Sequence, residues 1–432
     1  MSHIETQRTP SAFICWSTDA APSRGTIPKK PLLDGGVPLK DQKRIGVGLI
    51  SVGWMGRLHS RAYMATKQFF PELPRHPELV IAADPDDAGR QHAEDALGYA
   101  ETTTDYRKVL ENPDVDVVSI CSPNFLHHEI ALATIEAGKH FWIEKPMGRS
   151  ARESREIAQG AEAAGLITSV GFNYRHAPAI AEARRLIRSG TLGRITNVQI
   201  RLLTSYASDP NQVFTWRYEQ ARAGSGVLGD ILSHGFDLAQ FLVGRIASIN
   251  AVTETFIKER PLPAGTSSNS FNTGEASDVT REVENEDYTA MLARFEDGAI
   301  GMFETTRVAI GPHAEYIVEV YGTEGSLRWN FERMNQLEVA TDRSGYRSIM
   351  TPPSFGEFGR FQPNAGPGIG FNDLKTIEAA LFLRSVAEGK QLGPSVADGW
   401  SASELVDASL RSAESGAWID VPEVSGNTTY QA

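Results

Sequence analysis

In the run HFWIEKPMG, Lys145 sits between Glu144 and Pro146, at what reads as the carboxyl end of a parallel strand, where an open α/β sheet holds its ligands. Pro146 fixes its own φ and biases Lys145 toward extended backbone, so the amine is expected to project from the sheet edge. A surface lysine in a turn is the plain alternative, and the surrounding pattern must decide. A second cluster lies in GSGVLGDILSHGFDLAQFLVG, where Asp230 precedes His234 by one helical turn and Asp237 follows three residues later. On a helix all three can share a face. A histidine of ordinary pKa, about 6.5, exchanges a proton near neutrality, and a carboxylate partner could orient its ring and raise its basicity. Lys145 nearby would act oppositely, because a cation disfavours imidazolium. An amine and an imidazole around one alcohol oxygen suit oxidation: the imidazole takes the proton and the amine stabilises the developing alkoxide. A capping or core histidine is the alternative, and the Asp230 spacing together with a nucleotide fold favours catalysis.

The elements that would position these groups begin with RIGVGLI (44–50), a β-rich run leading through Ser51-Val-Gly53-Trp54-Met55-Gly56 into a helix-compatible stretch. This matches a dinucleotide fingerprint in which Gly53 lets the backbone approach a pyrophosphate and Gly56 lets helix and strand pack closely. Ser51 replaces the first glycine. The next apolar run ends at Asp84, 28 residues beyond Gly56, with the Pro-rich FFPELPRHPE accounting for the extra length. An acidic residue there can accept from an adenosine ribose and meets a 2′-phosphate as a like charge, which favours NAD over NADP; a strand-end turn residue before Pro85 is the alternative. DVDVVSICSPN and KHFWIEKP continue as strands with helical stretches between them, predicting a parallel sheet with covering helices. Ser122 and Asn124 end one of these strands, within reach of a nicotinamide ribose.

After ITSVGFNYRH the pattern changes. NVQIRLLTSY alternates, DYTAMLARF and AIGMFETT are joined by the hairpin pair Asp297-Gly298, and EYIVEVYG and SLRWNFE follow. An α/β Rossmann domain with a parallel sheet over 43–170 is therefore expected, then an α+β domain with a large open, mainly antiparallel sheet over 171–432. Residues 1–42 read as an arm or leader, and 258–280 and 344–371 as long loops.

At 432 residues and 41% apolar content the chain has room for two or three domains, and its formal net charge of -12 without a basic run excludes the footprint of a nucleic-acid binder. No apolar run approaches the roughly 20 residues that span a bilayer. Cys15 and Cys121 make neither a disulfide framework nor a zinc spacing, so a reducing cytoplasm is expected and no metal site. HExxH and GxSxG motifs are absent.

The glycine turn, SPNFLHH, Glu144-Lys145-Pro146, GFNYR (171–175), Trp216-Arg217 and Asp230-x-x-x-His234-x-x-Asp237 together resemble the glucose-fructose oxidoreductase, inositol dehydrogenase and rhizopine-catabolism (Gfo/Idh/MocA) oxidoreductases, from about Arg44 to the C-terminus. The resemblance implies that Lys145 and His234 flank the substrate carbon facing the nicotinamide, with Asp230 orienting or assisting His234. It implies a cofactor cleft that draws on Gly53, Trp54, Met55, Gly56, Asp84, Ser122, Asn124, His127, Glu144, Lys145, Asn173, Trp216 and Arg217. A substrate site of Lys145, Arg175, Asp230 and His234 follows in the same way. The expected activity is NAD-dependent oxidation of a ring secondary hydroxyl of a sugar, glycoside or cyclitol by a homo-oligomer, a dimer or tetramer. Two rivals remain: redox-neutral glycoside hydrolysis through transient oxidation and elimination, and a non-catalytic NAD-binding regulatory protein.

Overall fold

The computed structural model describes residues 44–265, 274–426, 428 and 429, so the expected arm over 1–42 lies outside the described residues. Six short strands, β1 (Arg44–Ile50), β2 (His76–Ala83), β3 (Glu101–Thr103), β4 (Val117–Ile120), β5 (His140–Ile143) and β6 (Thr168–Val170), form one parallel sheet in the order β3-β2-β1-β4-β5-β6. β1, β4 and β5 are apolar runs buried nearly throughout, as a sheet covered on both faces requires. The order places β1 and β4 side by side at the point where the chain reverses direction across the sheet.

The second sheet has nine strands in the order β16-β15-β14-β13-β7-β12-β11-β8-β17. These are β7 (Ile195–Thr204), β8 (Ile246–Glu254), β11 (Tyr288–Phe295), β12 (Ile300–Thr306), β13 (Ala314–Gly322), β14 (Ser326–Asn330), β15 (Gln336–Ala340), β16 (Arg347–Met350) and β17 (Ile419–Asp420). Every pairing is antiparallel except β7 with β12. Alternation decides which side is buried: Val198, Ile200 and Leu202 on β7 and Phe303 on β12 meet Ile231, Leu232 and Phe236 in one core. On the other side Val252, Leu292, Ile300 and Met302 are exposed.

Two expectations need correction. The stretch 258–280 is no plain loop, since β9 (Glu259–Pro263) and β10 (Ala276–Glu282) pair as an antiparallel ribbon around it, and 344–371 contributes β16 and a short helix, Phe358–Phe361. Tertiary pairing supplied order that turn-rich composition hid. The C-terminal segment also serves both halves: helix Phe371–Glu388 buries Ile377, Phe382, Leu383 and Val386 against Ile45, Val47, Tyr63 and Trp142 of the nucleotide half.

Candidate active site

The glycine turn forms as its residues require. Ser51 carries φ of 76°, the left-handed backbone that glycine adopts more readily, so the serine occupies the fingerprint's first position in a glycine-like conformation. A Cβ on Gly56 would stand 2.0 Å from the Ser51 carbonyl oxygen, which shows how tightly helix Trp54–Phe69 lies on β1. Around Gly53 a Cβ would meet only Ser51 Oγ at 3.8 Å, leaving the helix N-terminus open to an anion. Trp54 is exposed there and stacks on Phe371, while Met55 is half-buried. Asp84 accepts from the backbone N–H groups of Val52 at 2.6 Å and Asp86 at 2.9 Å, and each oxygen keeps a further lone pair for a ribose hydroxyl. Burial pushes its carboxyl above the ordinary value against the pull of those N–H groups. Past the carboxyl ends of β4 and β6, Ser122 Oγ and Asn173 Nδ2 are buried without a hydrogen-bond partner among the described residues. Unsatisfied buried donors beside an open helix N-terminus fit a dinucleotide along this edge.

The Lys145 amine donates to the Asp230 carbonyl oxygen at 2.6 Å and approaches Asp230 Oδ1 at 3.3 Å. The same carboxylate accepts from Arg217 Nη1 at 3.1 Å and from the Tyr206 hydroxyl at 2.8 Å. Burial alone would raise the Asp230 carboxyl, but Arg217, Lys145 and Tyr206 outweigh it and hold the group well below the usual carboxylate range. His234 is buried, its ring edge-on to Tyr174 at 4.5 Å and to Phe172 at 6.0 Å. Burial first, then the Lys145 ammonium, push its pKa well below 6.5, while Glu144 and Asp230 pull upward and Lys375 adds to the depression. The imidazole is therefore neutral at neutral pH and able to accept a proton.

Several of the expected site residues have partners that the sequence did not suggest. Among the described residues no hydrogen bond joins Asp230 to His234, because Leu228–Leu232 is a π-helical turn that rotates the carboxylate out of the simple four-residue register. Asp237 and Arg175 form a buried ion pair with each other, and Arg175 also donates to Thr429 at 2.6 Å. Glu144 is equally committed, accepting from Lys375 at 2.6 Å with His59 Nε2 at 3.0 Å. Both ring nitrogens of His127 face carbonyl oxygens, of Pro146 and Ser122, at 2.8 Å each, so His127 ties the lysine loop to the end of β4 and has no nitrogen left for a cofactor. Asn124 donates to the Ala223 carbonyl oxygen at 3.1 Å, and Trp216 packs edge-on against Phe125 with the Arg217 guanidinium 4.7 Å from its ring.

Tyr174, Tyr206, His59 and Lys375 escaped the reading of the sequence. Tyr174 stands inside the GFNYR motif, but the 3-10 turn Asn173–His176 gives neighbouring residues different faces, and the tyrosine meets His234 while the arginine meets Asp237. No cluster of three or more His, Cys, Asp or Glu able to hold a metal occurs among the described residues.

Comparison with known proteins identifies the family. The family model described as "Oxidoreductase family, NAD-binding Rossmann fold" matches residues 45–172, and the "GFO/IDH/MocA C-terminal domain" matches 180–328. Levoglucosan dehydrogenase of Pseudarthrobacter phenanthrenivorans is 38% identical over 390 residues, covering 89% of this chain and 100% of that protein. Myo-inositol 2-dehydrogenase of Thermotoga maritima is 24% identical, covering 88% of this chain and 99% of that protein. A solved structure of levoglucosan dehydrogenase in complex with NADH and levoglucosan superposes with a TM-score of 0.82 at 38% identity, covering 88% of this chain and 100% of that one. With a glycine turn open to a pyrophosphate, a lysine at the end of β5 and matches to both domains, the chain belongs to the Gfo/Idh/MocA family of oxidoreductases and carries its NAD-binding Rossmann fold.

Proposed function

We propose that the protein is an NAD-dependent dehydrogenase that oxidises a secondary ring hydroxyl of a sugar, anhydrosugar, glycoside or cyclitol. The observation that carries this reading is the meeting of Lys145 from the nucleotide half with Asp230, four residues before His234, from the sheet half, at 2.6 Å. NAD supplies the hydride acceptor. An ammonium has three donors, and Lys145 directs its amine at Asp230, which leaves a proton for the substrate oxygen and stabilises negative charge there. His234, neutral and walled by Tyr174 and Phe172, takes the hydroxyl proton. Asp230 anchors the amine, and Arg217 and Tyr206 keep it ionised.

The levoglucosan and inositol dehydrogenases among the relatives direct the choice of first substrates. A panel of levoglucosan, D-glucose, myo-inositol, scyllo-inositol and nitrophenyl glycosides with NAD, followed by absorbance of reduced cofactor, tests the reading. Reduction with at least one polyol supports it. Release of nitrophenol without net reduction, or no turnover of any member, overturns it. The exposed apolar face of the nine-stranded sheet supports a homo-oligomer, and Cys121, a free thiol half-buried at the end of β4, accords with a reducing compartment such as the cytoplasm.

A further inference from the structure

Behind Lys145 lies a buried charged cluster built around Glu144. Lys375, on helix Phe371–Glu388, is 1% exposed at its side chain; its amine stands 2.6 Å from Glu144 Oε1 and 2.9 Å from Glu378 Oε2. It lies 5.1 Å from the Trp142 ring centre, and His59 stacks on the same indole at 3.5 Å while reaching Glu144 Oε1 at 3.0 Å. Glu144 is confined on its remaining sides. Its backbone N–H donates to the Ile120 carbonyl oxygen at 3.0 Å, and a Cβ on Gly171 would fall 2.6 Å from its carboxylate, so the closely packed glycine leaves the side chain no other place.

The second carboxylate oxygen of Glu144 accepts from the backbone N–H of Lys145 at 3.3 Å. Lys145 is thus held at its root by Glu144 and at its tip by Asp230. A buried ion pair adds little to stability compared with apolar residues of equal volume, since desolvating two charges costs about as much as their attraction returns. Its geometric consequence is more specific: the carboxylate that fixes the lysine's backbone is itself fixed by the cation from the C-terminal helix.

We infer that Lys375 is a positioning residue for Lys145, acting through Glu144. Lys375 orients the Glu144 carboxylate, Glu144 sets the Lys145 backbone, and the amine arrives at the Asp230 carbonyl. The inference rests on the dehydrogenase reading for its kinetic consequence, but the placement of the Lys145 amine can be read without turnover.

The test uses the full chain with Lys375→Met, Lys375→Arg and Glu144→Gln, the last serving if Lys375→Met does not fold. Competitive acylation of lysines with peptide mapping reports on the amine directly. In Lys375→Met and Glu144→Gln, labelling of Lys145 is expected to rise severalfold relative to the surface residue Lys108, and to return toward wild type in Lys375→Arg. With a substrate found in the polyol panel, kcat is expected to fall at least about tenfold while the NAD dissociation constant changes little, as displacing a reacting group by about 1 Å commonly does. General loosening of the fold would change the labelling of many lysines together and would not be corrected by arginine. Folded Lys375→Met with wild-type labelling of Lys145 overturns the inference. Turnover of no polyol by the wild-type protein, with Lys145 labelling still shifted in the variants, would sink the dehydrogenase reading and leave the positioning role standing.

Discussion

The Lys145 amine lies 2.6 Å from the main-chain carbonyl oxygen of Asp230, so the two halves of the molecule meet through a backbone acceptor that no side-chain substitution removes. Substituting Asp230 by Asn therefore keeps this contact while losing the negative charge that Arg217 and Tyr206 also hold. Asp230→Asn is expected to bind NAD normally and to lose activity because the amine is less firmly oriented. A variant with wild-type kcat would show that only the carbonyl matters.

His234→Ala removes the proton acceptor. Positioned proton transfer is worth about a hundredfold to ten-thousandfold, so kcat should fall by at least that lower bound with NAD affinity retained. A loss of only a few-fold would assign the proton to another group.

Gly53 and Gly56 should respond differently to a methyl group. At Gly56 the added Cβ would stand 2.0 Å from the Ser51 carbonyl oxygen, so Gly56→Ala is expected to lower the melting temperature as well as NAD affinity. At Gly53 the nearest atom is Ser51 Oγ at 3.8 Å, so Gly53→Ala should fold normally and weaken NAD binding alone. Thermal melts paired with calorimetric titration separate the two outcomes, and equal melting temperatures for both variants would contradict the packing described.

The same two glycines show what local spacing can reveal. The turn, Lys145 at a strand end and the change from parallel to antiparallel sheet were legible, because each depends on neighbours within a few residues, whereas the four-residue spacing of Asp230 and His234 did not reveal the π-helical turn that separates their side chains. Lys375 was not: its partner Glu144 is 231 positions away, and nothing around it in FNDLKTIEAA distinguishes a buried cation from a surface one. Nor was the pairing of Arg175 with Asp237, because nothing local joins two residues 62 positions apart.

Asp84 predicts cofactor choice. A 2′-phosphate beside this carboxylate would meet a like charge, a repulsion of about 1 kcal/mol or more at 4 Å even in water, so NADP should bind at least about fivefold more weakly than NAD. Equal dissociation constants for the two would discard the assignment.

The buried histidines should cost stability in acid. Burial, reinforced by the Lys375 charge and opposed by Glu144, lowers His59 to about 4; burial alone lowers His140 to about 4, and burial with Arg175 and Lys375 lowers His176 to about 3. The folded protein keeps these rings neutral, whereas the unfolded chain protonates them near pH 6.5. Their stabilisation is complete above about pH 6.5 and declines as the pH drops toward about 4. Burial raises Asp237 to about 6 and Glu378 to about 7, which acts in the opposite sense over this range, so the single-histidine comparison is the test. The melting temperature of His140→Asn should lose less between pH 7.5 and 4.5 than that of wild type, and an identical loss in both would contradict the assignment.

Leu292 and Met302 face each other across β11 and β12 on the uncovered side of the sheet, with Val252 and Ile300 nearby. Replacing Leu292 by Asp should convert an oligomer to a smaller species on a sizing column coupled to light scattering. A wild-type mass equal to one chain would remove the premise.

Because helix Phe371–Glu388 completes the packing around Trp142 and supplies the cation for Glu144, the nucleotide half cannot finish its interior while the protein is still being made. During translation, the first 170 residues leave the ribosome with Ile45, Val47 and Trp142 uncovered and a carboxylate awaiting its counter-charge, and they stay so until some two hundred more residues have emerged. A gene fragment ending before Phe371 is thus poorly suited to yielding an independent coenzyme-binding module, however complete its parallel sheet.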